Sequence, residues 1–232
     1  MINNIIEVWY WSFLLAALIG VVVYFSFGFV KDLWAAFKEQ RAGGQAPLSK
    51  EKMTEPYSKR MVIIHWLTLA LLIMAWYLGD VLVDARIEKD ATLIGYFAHA
   101  LMGGAILLLT ILRLTFRGVD GTPPPVGNSV MDIVARGVHH GLYVLLILLS
   151  ITGFMTLLTS TVGMALVTNA AILLPAEYNG PSVIPHTVHE ILVTVMMVVV
   201  LVHILGAIKH QFIMKDGLMR RMSLRRKGRR SA

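Results

Sequence analysis

The chain is expected to be an all-α integral membrane protein, a four-helix bundle with one additional N-terminal transmembrane helix. Three observations predict this. Of 232 residues, 56% are hydrophobic and only 15% are charged, whereas a soluble domain carries about 25% charged residues. Five apolar runs, at 9–30, 61–83, 91–112, 141–159 and 189–213, reach or exceed the ~18 residues that a bilayer crossing requires. Finally, Lys and Arg fall on alternate connections between those runs.

The first run, 9–30, lacks a charged leader. It is also longer than the 7–15 apolar residues of a signal peptide, so it reads as a retained anchor. Residues 31–41 can continue it as an amphipathic piece at the membrane surface, and Gly43, Gly44 and Pro47 break it. Residues 1–50 thus form an N-terminal helix and linker, 51–214 the bundle, and 215–232 a basic tail. The loop at 122–128 contains Pro123, Pro124 and Pro125 and cannot be helical throughout. The connection 160–186 is punctuated by Pro175, Gly180, Pro181 and Pro185 and reads as the longest outer loop.

Cations set the orientation. None precedes Lys31. The first connection holds Lys31, Lys38, Arg41, Lys50, Lys52, Lys59 and Arg60. The second holds Arg86 and Lys89, the third Arg113, Arg117 and Arg136, and the fourth none. The tail includes Arg225, Arg226, Lys227, Arg229 and Arg230. The positive-inside rule places the odd connections and the C-terminus in the cytoplasm and the N-terminus outside. The net charge of +7 is then a topology determinant beside anionic lipid headgroups, not a nucleic-acid footprint.

The chain has no cysteine. Disulfides, thiolate zinc sites, iron–sulfur clusters and thioether-linked or thiolate-ligated haem are excluded for it. It has eight histidines, and an ionisable group at membrane depth is a functional hypothesis by default. His189 and His203 lie fourteen residues apart on one expected helix. Fourteen steps of about 100° fall roughly 40° short of four turns, so both share a face, about 21 Å apart along the axis. His65 matches His203 in depth, and His99 matches His189. Two neutral imidazoles fill both axial positions of a haem iron. The pattern therefore points to two haem b groups, stacked through the membrane, with His65, His99, His189 and His203 as iron ligands. Gly103, Gly104 and Gly206 lie near these positions, where small residues let a porphyrin approach the backbone. A proton or ion path and plain interhelical hydrogen bonding are the competing readings. A zinc site is disfavoured, because histidines on the same helix are too far apart for one ion. His139, His140, His210, Arg60 and Arg113 gather toward the cytoplasmic side as possible propionate or quinone contacts, and Arg136 joins them there. His186, one turn before His189, is expected to face the outer loop.

These residues also carry a resemblance. Pro56-Tyr57-Ser58-Lys59-Arg60 with Ile64-His65-Trp66-Leu67 resembles the opening of the bacterial cytochrome b561 family. His99 with Gly103, Arg113 and Arg117, then Thr122-Pro123-Pro124-Pro125, resembles its second helix and the following loop. His139, Leu142, Tyr143 and Gly153 resemble its third helix. His189-Glu190, His203, His210, Lys215-Asp216, Leu218 and Arg220 resemble its fourth. The resemblance runs from Glu55 to Arg226. More loosely, the chain resembles the cytochrome b subunits of formate dehydrogenases and nickel–iron hydrogenases. The family implies a four-helix bundle, two bis-histidine b haems and quinone as electron partner, and the ligands again fall on His65, His99, His189 and His203. It implies either a free-standing electron carrier, in some members a quinone-reducing superoxide oxidase, or a membrane-anchor subunit of a larger respiratory complex. Ser150 stands where the family places a proline, so the third bundle helix is expected to be straighter. The run 9–30 has no counterpart in compact members and is expected to meet lipid, a partner subunit or a second copy.

Overall fold

The computed structural model describes residues 49–88, 90–124 and 130–224, with scattered positions between 20 and 42. The expected N-terminal span lies largely outside the described residues. Of it, Gly20, Val23, Phe27 and Val30 are helical and exposed, as are Lys31, Trp34 and Phe37 beyond it. The described residues contain helices and no strand. In chain order these are α1 (Lys50–Met53), α2 (Lys59–Glu88), α3 (Leu93–Asp120), α4 (Val130–Thr159), α5 (Thr161–Thr168) and α6 (Val183–Ile208). The last continues as a π-helical turn, Lys209–Met214.

Among the described residues, four helices are long and apolar enough to cross a membrane: α2, α3, α4 and α6 with its extensions. Their outward faces carry large apolar side chains such as Ile73, Leu101, Phe154 and Leu201, the surface that lipid requires. Helix α2 packs on α3, α3 on α4, and α4 most extensively on α6. Between α4 and α6 lies a core of Leu145, Leu149 and Met196, closed by Leu72 of α2 with Leu142, Leu146, Leu192 and Val193.

The helices outrun the apolar segments that announce them. Helix α4 begins at Val130, not at 141, because its first three turns carry polar residues suited to the interface and no proline. Helix α6 begins at Val183, not at 189. Pro185 falls in its first turn, where a missing N–H costs no hydrogen bond. The expected outer loop is correspondingly shorter. It holds α5, capped by Ser160 Oγ accepting from Val162 N at 3.3 Å and ended by left-handed Asn169. Two 3₁₀ turns follow, Ala171–Leu173 and Gly180–Ser182. Helix α4 runs unbroken through Ser150, whose hydroxyl donates to Leu146 O at 2.9 Å and lies 3.3 Å from Gly103 O of α3.

One end of the bundle carries Arg60, Arg113, Arg136, Arg220 and Arg221 and is called the basic end below. Here the chain turns back after α6. Lys215 and Gly217 are left-handed (φ 51° and 78°), and a Cβ at Gly217 would meet the Thr54 methyl at 3.1 Å. His210 Nδ1 and Asp216 Oδ2 are paired at 2.6 Å. The 3₁₀ helix Leu218–Met222 then lies against the segment before α2. Arg60 is bound to Asp120 at the far end of α3 and stacks on Phe116.

Candidate functional site: two histidine pairs across the bundle

The eight histidines sort into clusters. His65 of α2 and His203 of α6 face each other with ring centres 6.3 Å apart and planes at 76°. His99 of α3 and His189 of α6 face each other at 6.2 Å and 79°. Two rings bonded to one metal at the usual metal–imidazole length of about 2.0 Å have centres roughly 6 Å apart. Both pairs meet that spacing, and they are the pairs expected from depth along the helices. The first lies toward the basic end and the second toward the opposite end.

The surroundings of each ring bear on whether it can hold iron. His189 Nδ1 lies 3.0 Å from Leu149 O and 3.2 Å from Thr152 Oγ1. With the ring proton donated to that carbonyl, Nε2 keeps its lone pair for a metal. A Cβ at Gly153 would sit 3.1 Å from His189 Cε1, and one at Gly79 would sit 3.2 Å from His99 Cε1. Both glycines thus make room for the rings. His99 Nδ1 is buried without a hydrogen bond of normal geometry, and the backbone of Ala75 on α2 is the acceptor within reach of the ring. Gly103, Gly104 and Gly206 border open space, where a Cβ would touch nothing within 4 Å. The residues at both pairs are of the kind that hold haem iron, and at one pair a neighbouring cation opposes ligation as it stands. Arg113 Nη1 lies 2.7 Å from His65 Nδ1. A guanidinium has no lone pair, so that nitrogen must accept and the ring proton must sit on Nε2. Ligation through Nε2 requires Arg113 to turn away. Its Nε is buried without a partner where it stands.

The other candidates are placed as follows. His139 lies 5.0 Å from His203, ring centre to ring centre, with Nδ1 2.7 Å from Ala135 O. His140 Nδ1 lies 2.8 Å from Arg136 O, one turn back. His210 is engaged with Asp216, and Arg60 with Asp120. Arg113 also lies over the Tyr143 ring at 5.9 Å.

The opposite end holds a cleft of about 470 Å³ that includes Arg86, Tyr178, His186 and Glu190. His186 stacks on Tyr178 at 3.9 Å, and Arg86 covers the same ring at 4.9 Å. His186 Nδ1 lies 3.6 Å from a Glu190 carboxylate oxygen. Burial, with Tyr96 alongside, pushes the Tyr178 phenol well above its ordinary pKa. Tyr178 and Arg86 carried no sequence signal, because nothing local marks which loop aromatic will cover a helix start.

Four membrane-spanning helices with imidazole pairs at two depths define a class, the membrane electron-transfer cytochromes. The sequence matches the family described as prokaryotic cytochrome b561 over residues 56–223, and the chain belongs to that family. It is 27% identical over 170 residues to a protein named cytochrome b562 from Cereibacter sphaeroides, covering 72% of this chain and 94% of that one. It is 28% identical over 180 residues to a probable superoxide oxidase, CybB, from Yersinia pestis, covering 76% of this chain and 100% of that one. The family implies haem b as cofactor.

Proposed function

We propose that this chain is a dihaem cytochrome of the bacterial inner membrane that carries electrons through the bilayer to or from quinone. The observation that carries the reading is the facing of His65 with His203 and of His99 with His189 at 6.3 and 6.2 Å. His65 with His203 and His99 with His189 would each hold a haem, which would supply a one-electron site. The protein positions these sites and tunes them. Leu149 O and Thr152 orient His189, and Gly79 and Gly153 leave the rings their space. With haem bound, Arg113 would leave His65 and pair with a haem propionate, an anion that would also satisfy its buried Nε. His139 stands beside His203 as a second contact at the basic end. Cation placement puts the basic end and C-terminus in the cytoplasm and the N-terminus outside.

The test is a cofactor count with matched variants. Protein purified in detergent contains about two b haems per chain by pyridine haemochrome, and His99→Ala removes one of them. A count of zero ends the reading.

A second reading, oxidation of superoxide, is favoured by the likeness to the probable superoxide oxidase along that protein's whole length. The cleft at Arg86 lies one turn from His189 on α6. There superoxide would give up one electron and leave as dioxygen. Suppression of a superoxide-dependent dye reduction by the purified protein plus quinone tests it. The membrane-anchor alternative is not favoured, since both relatives are matched over nearly their whole length and neither name is that of a subunit.

A further inference from the structure

Arg221 belongs to a stretch that composition reads as a solvated basic tail. It is instead 6% exposed. Its Nε donates to Met53 O at 2.8 Å, its Nη1 to Pro124 O at 2.9 Å and its Nη2 to Lys52 O at 3.1 Å. One planar guanidinium therefore ties the end of α1 to the proline-containing connection between α3 and α4. The same turn accepts twice. Arg221 O takes the Tyr57 N–H at 3.1 Å, and Met222 O takes the Trp66 indole N–H at 3.0 Å. The Trp66 ring stands edge-on to His65, 5.2 Å between centres. A continuous set of contacts thus runs from Arg221 through Met222 O and Trp66 to the imidazole at the basic end.

We infer that Arg221 is a positioning residue for the redox centre at the basic end: it fixes the Leu218–Met222 turn, whose Met222 carbonyl holds Trp66 and thereby sets the orientation of His65. This rests on the proposed ligation of haem by His65 and His203. The chemistry of the fork explains the residue type. Three carbonyls at 2.8, 2.9 and 3.1 Å take one bond from each nitrogen of the guanidinium fork, whereas an ammonium on a flexible stem cannot reproduce those fixed donors. The buried cation meets backbone carbonyls and no carboxylate within ion-pair distance among the described residues. Removing it leaves three inward-facing carbonyls without that donor. Axial-ligand orientation and the polarity around it are levers on haem potential, so a loosened turn is read at one haem and not at the other.

The experiment uses the full chain in detergent, with redox titration followed optically and the low-spin haem signals followed by electron paramagnetic resonance. Wild type first shows two components, and His65→Ala removes one of them. If wild type lacks that component, the haem reading has failed before Arg221 is tested. Arg221→Lys keeps the charge while removing the planar fork, and Trp66→Phe keeps an aromatic ring while removing the N–H that Met222 O accepts. Each is expected to move the midpoint and the signal of the component that His65→Ala removes, leaving the other unchanged. In the double variant the shift equals that of Arg221→Lys alone, because both act through one path. Should Arg221→Lys fail to accumulate, Arg221→Gln, which keeps a planar donor to part of the carbonyl set, is scored on the same component beside Trp66→Phe. No shift, equal shifts of both components, or additive shifts in the double variant overturn the inference.

Discussion

Gly153 of α4 abuts His189 of α6: a β-carbon on Gly153 would lie 3.1 Å from Cε1 of the imidazole and 3.3 Å from its Nδ1. That approach is what lets the ring reach the Leu149 carbonyl at 3.0 Å. Gly153→Ala should therefore tilt the imidazole by a few tenths of an ångström and shift the spectrum of the haem at the end opposite the basic one. Gly153→Leu should expel it, lowering the haemochrome count from about two to about one. An unaltered spectrum in both variants would show that the ring does not need this space.

The pairing across the bundle gives a second prediction. His65→Ala and His203→Ala should lose the same spectral and redox component, and His99→Ala and His189→Ala the other. Each loss should leave the second haem largely intact, since the two pairs share only α6. If His65→Ala and His99→Ala abolish a common component, the pairs are wrongly matched.

These pairs were legible in the sequence because of arithmetic. Fourteen residues on a helix return a side chain to almost the same face, so His189 and His203 had to share one, and a rough depth assigned each a partner. The spans were legible in position and short in extent. Apolar windows stop where the hydrocarbon stops, while the helix of Val130 to His140 continues through polar residues into the interface. Arg221 was not legible at all. Its acceptors lie 97 to 169 residues away along the chain, and its neighbours Arg220, Arg225 and Arg226 make the stretch read as a solvated tail. Gly79 likewise carried no mark, because the ring that it accommodates belongs to another helix.

Tyr178 yields a pH prediction. Its phenol is raised above the ordinary value of 10.0, chiefly by burial and further by Tyr96, with Arg86 opposing. The folded protein then holds this proton more tightly than the unfolded chain does. The contribution to stability is complete below pH 10 and is lost as pH rises from there toward the folded value. Absorbance titration near 295 nm should show a tyrosine ionising well above pH 10, and Tyr178→Phe should remove it. The same variant should weaken the decline in thermal stability above pH 10. A normal titration of all tyrosines would show that the His186–Tyr178–Arg86 stack is open to water.

Orientation is tested directly. A reporter active only in the periplasm, fused after Ala232, should be silent if the basic end, with Arg60, Arg113, Arg136 and Arg221, faces the cytoplasm as proposed. Activity there would invert the assignment and exchange the inner and outer haem sites.

The N-terminal run supplies the last prediction. The four spanning helices α2, α3, α4 and α6 contain all four paired histidines, so nothing in 9–30 is needed for ligation. Its described positions Val23, Phe27 and Val30 are all well exposed, at 57%, 71% and 57%. They follow spacings of four and three, which place them on one helix face. A face of that kind meets either lipid or another protein, and Gly20 on the same face offers a close approach point for a second helix. Deleting residues 2–30 should leave the haem count and both redox components unchanged. Association with a second copy or a co-purifying subunit, read by size-exclusion chromatography with light scattering, should be lost. A truncated chain that keeps its assembly state would make the run a lipid-facing anchor. One that loses haem would place the helix inside the cofactor bundle and require the four-helix description to be redrawn.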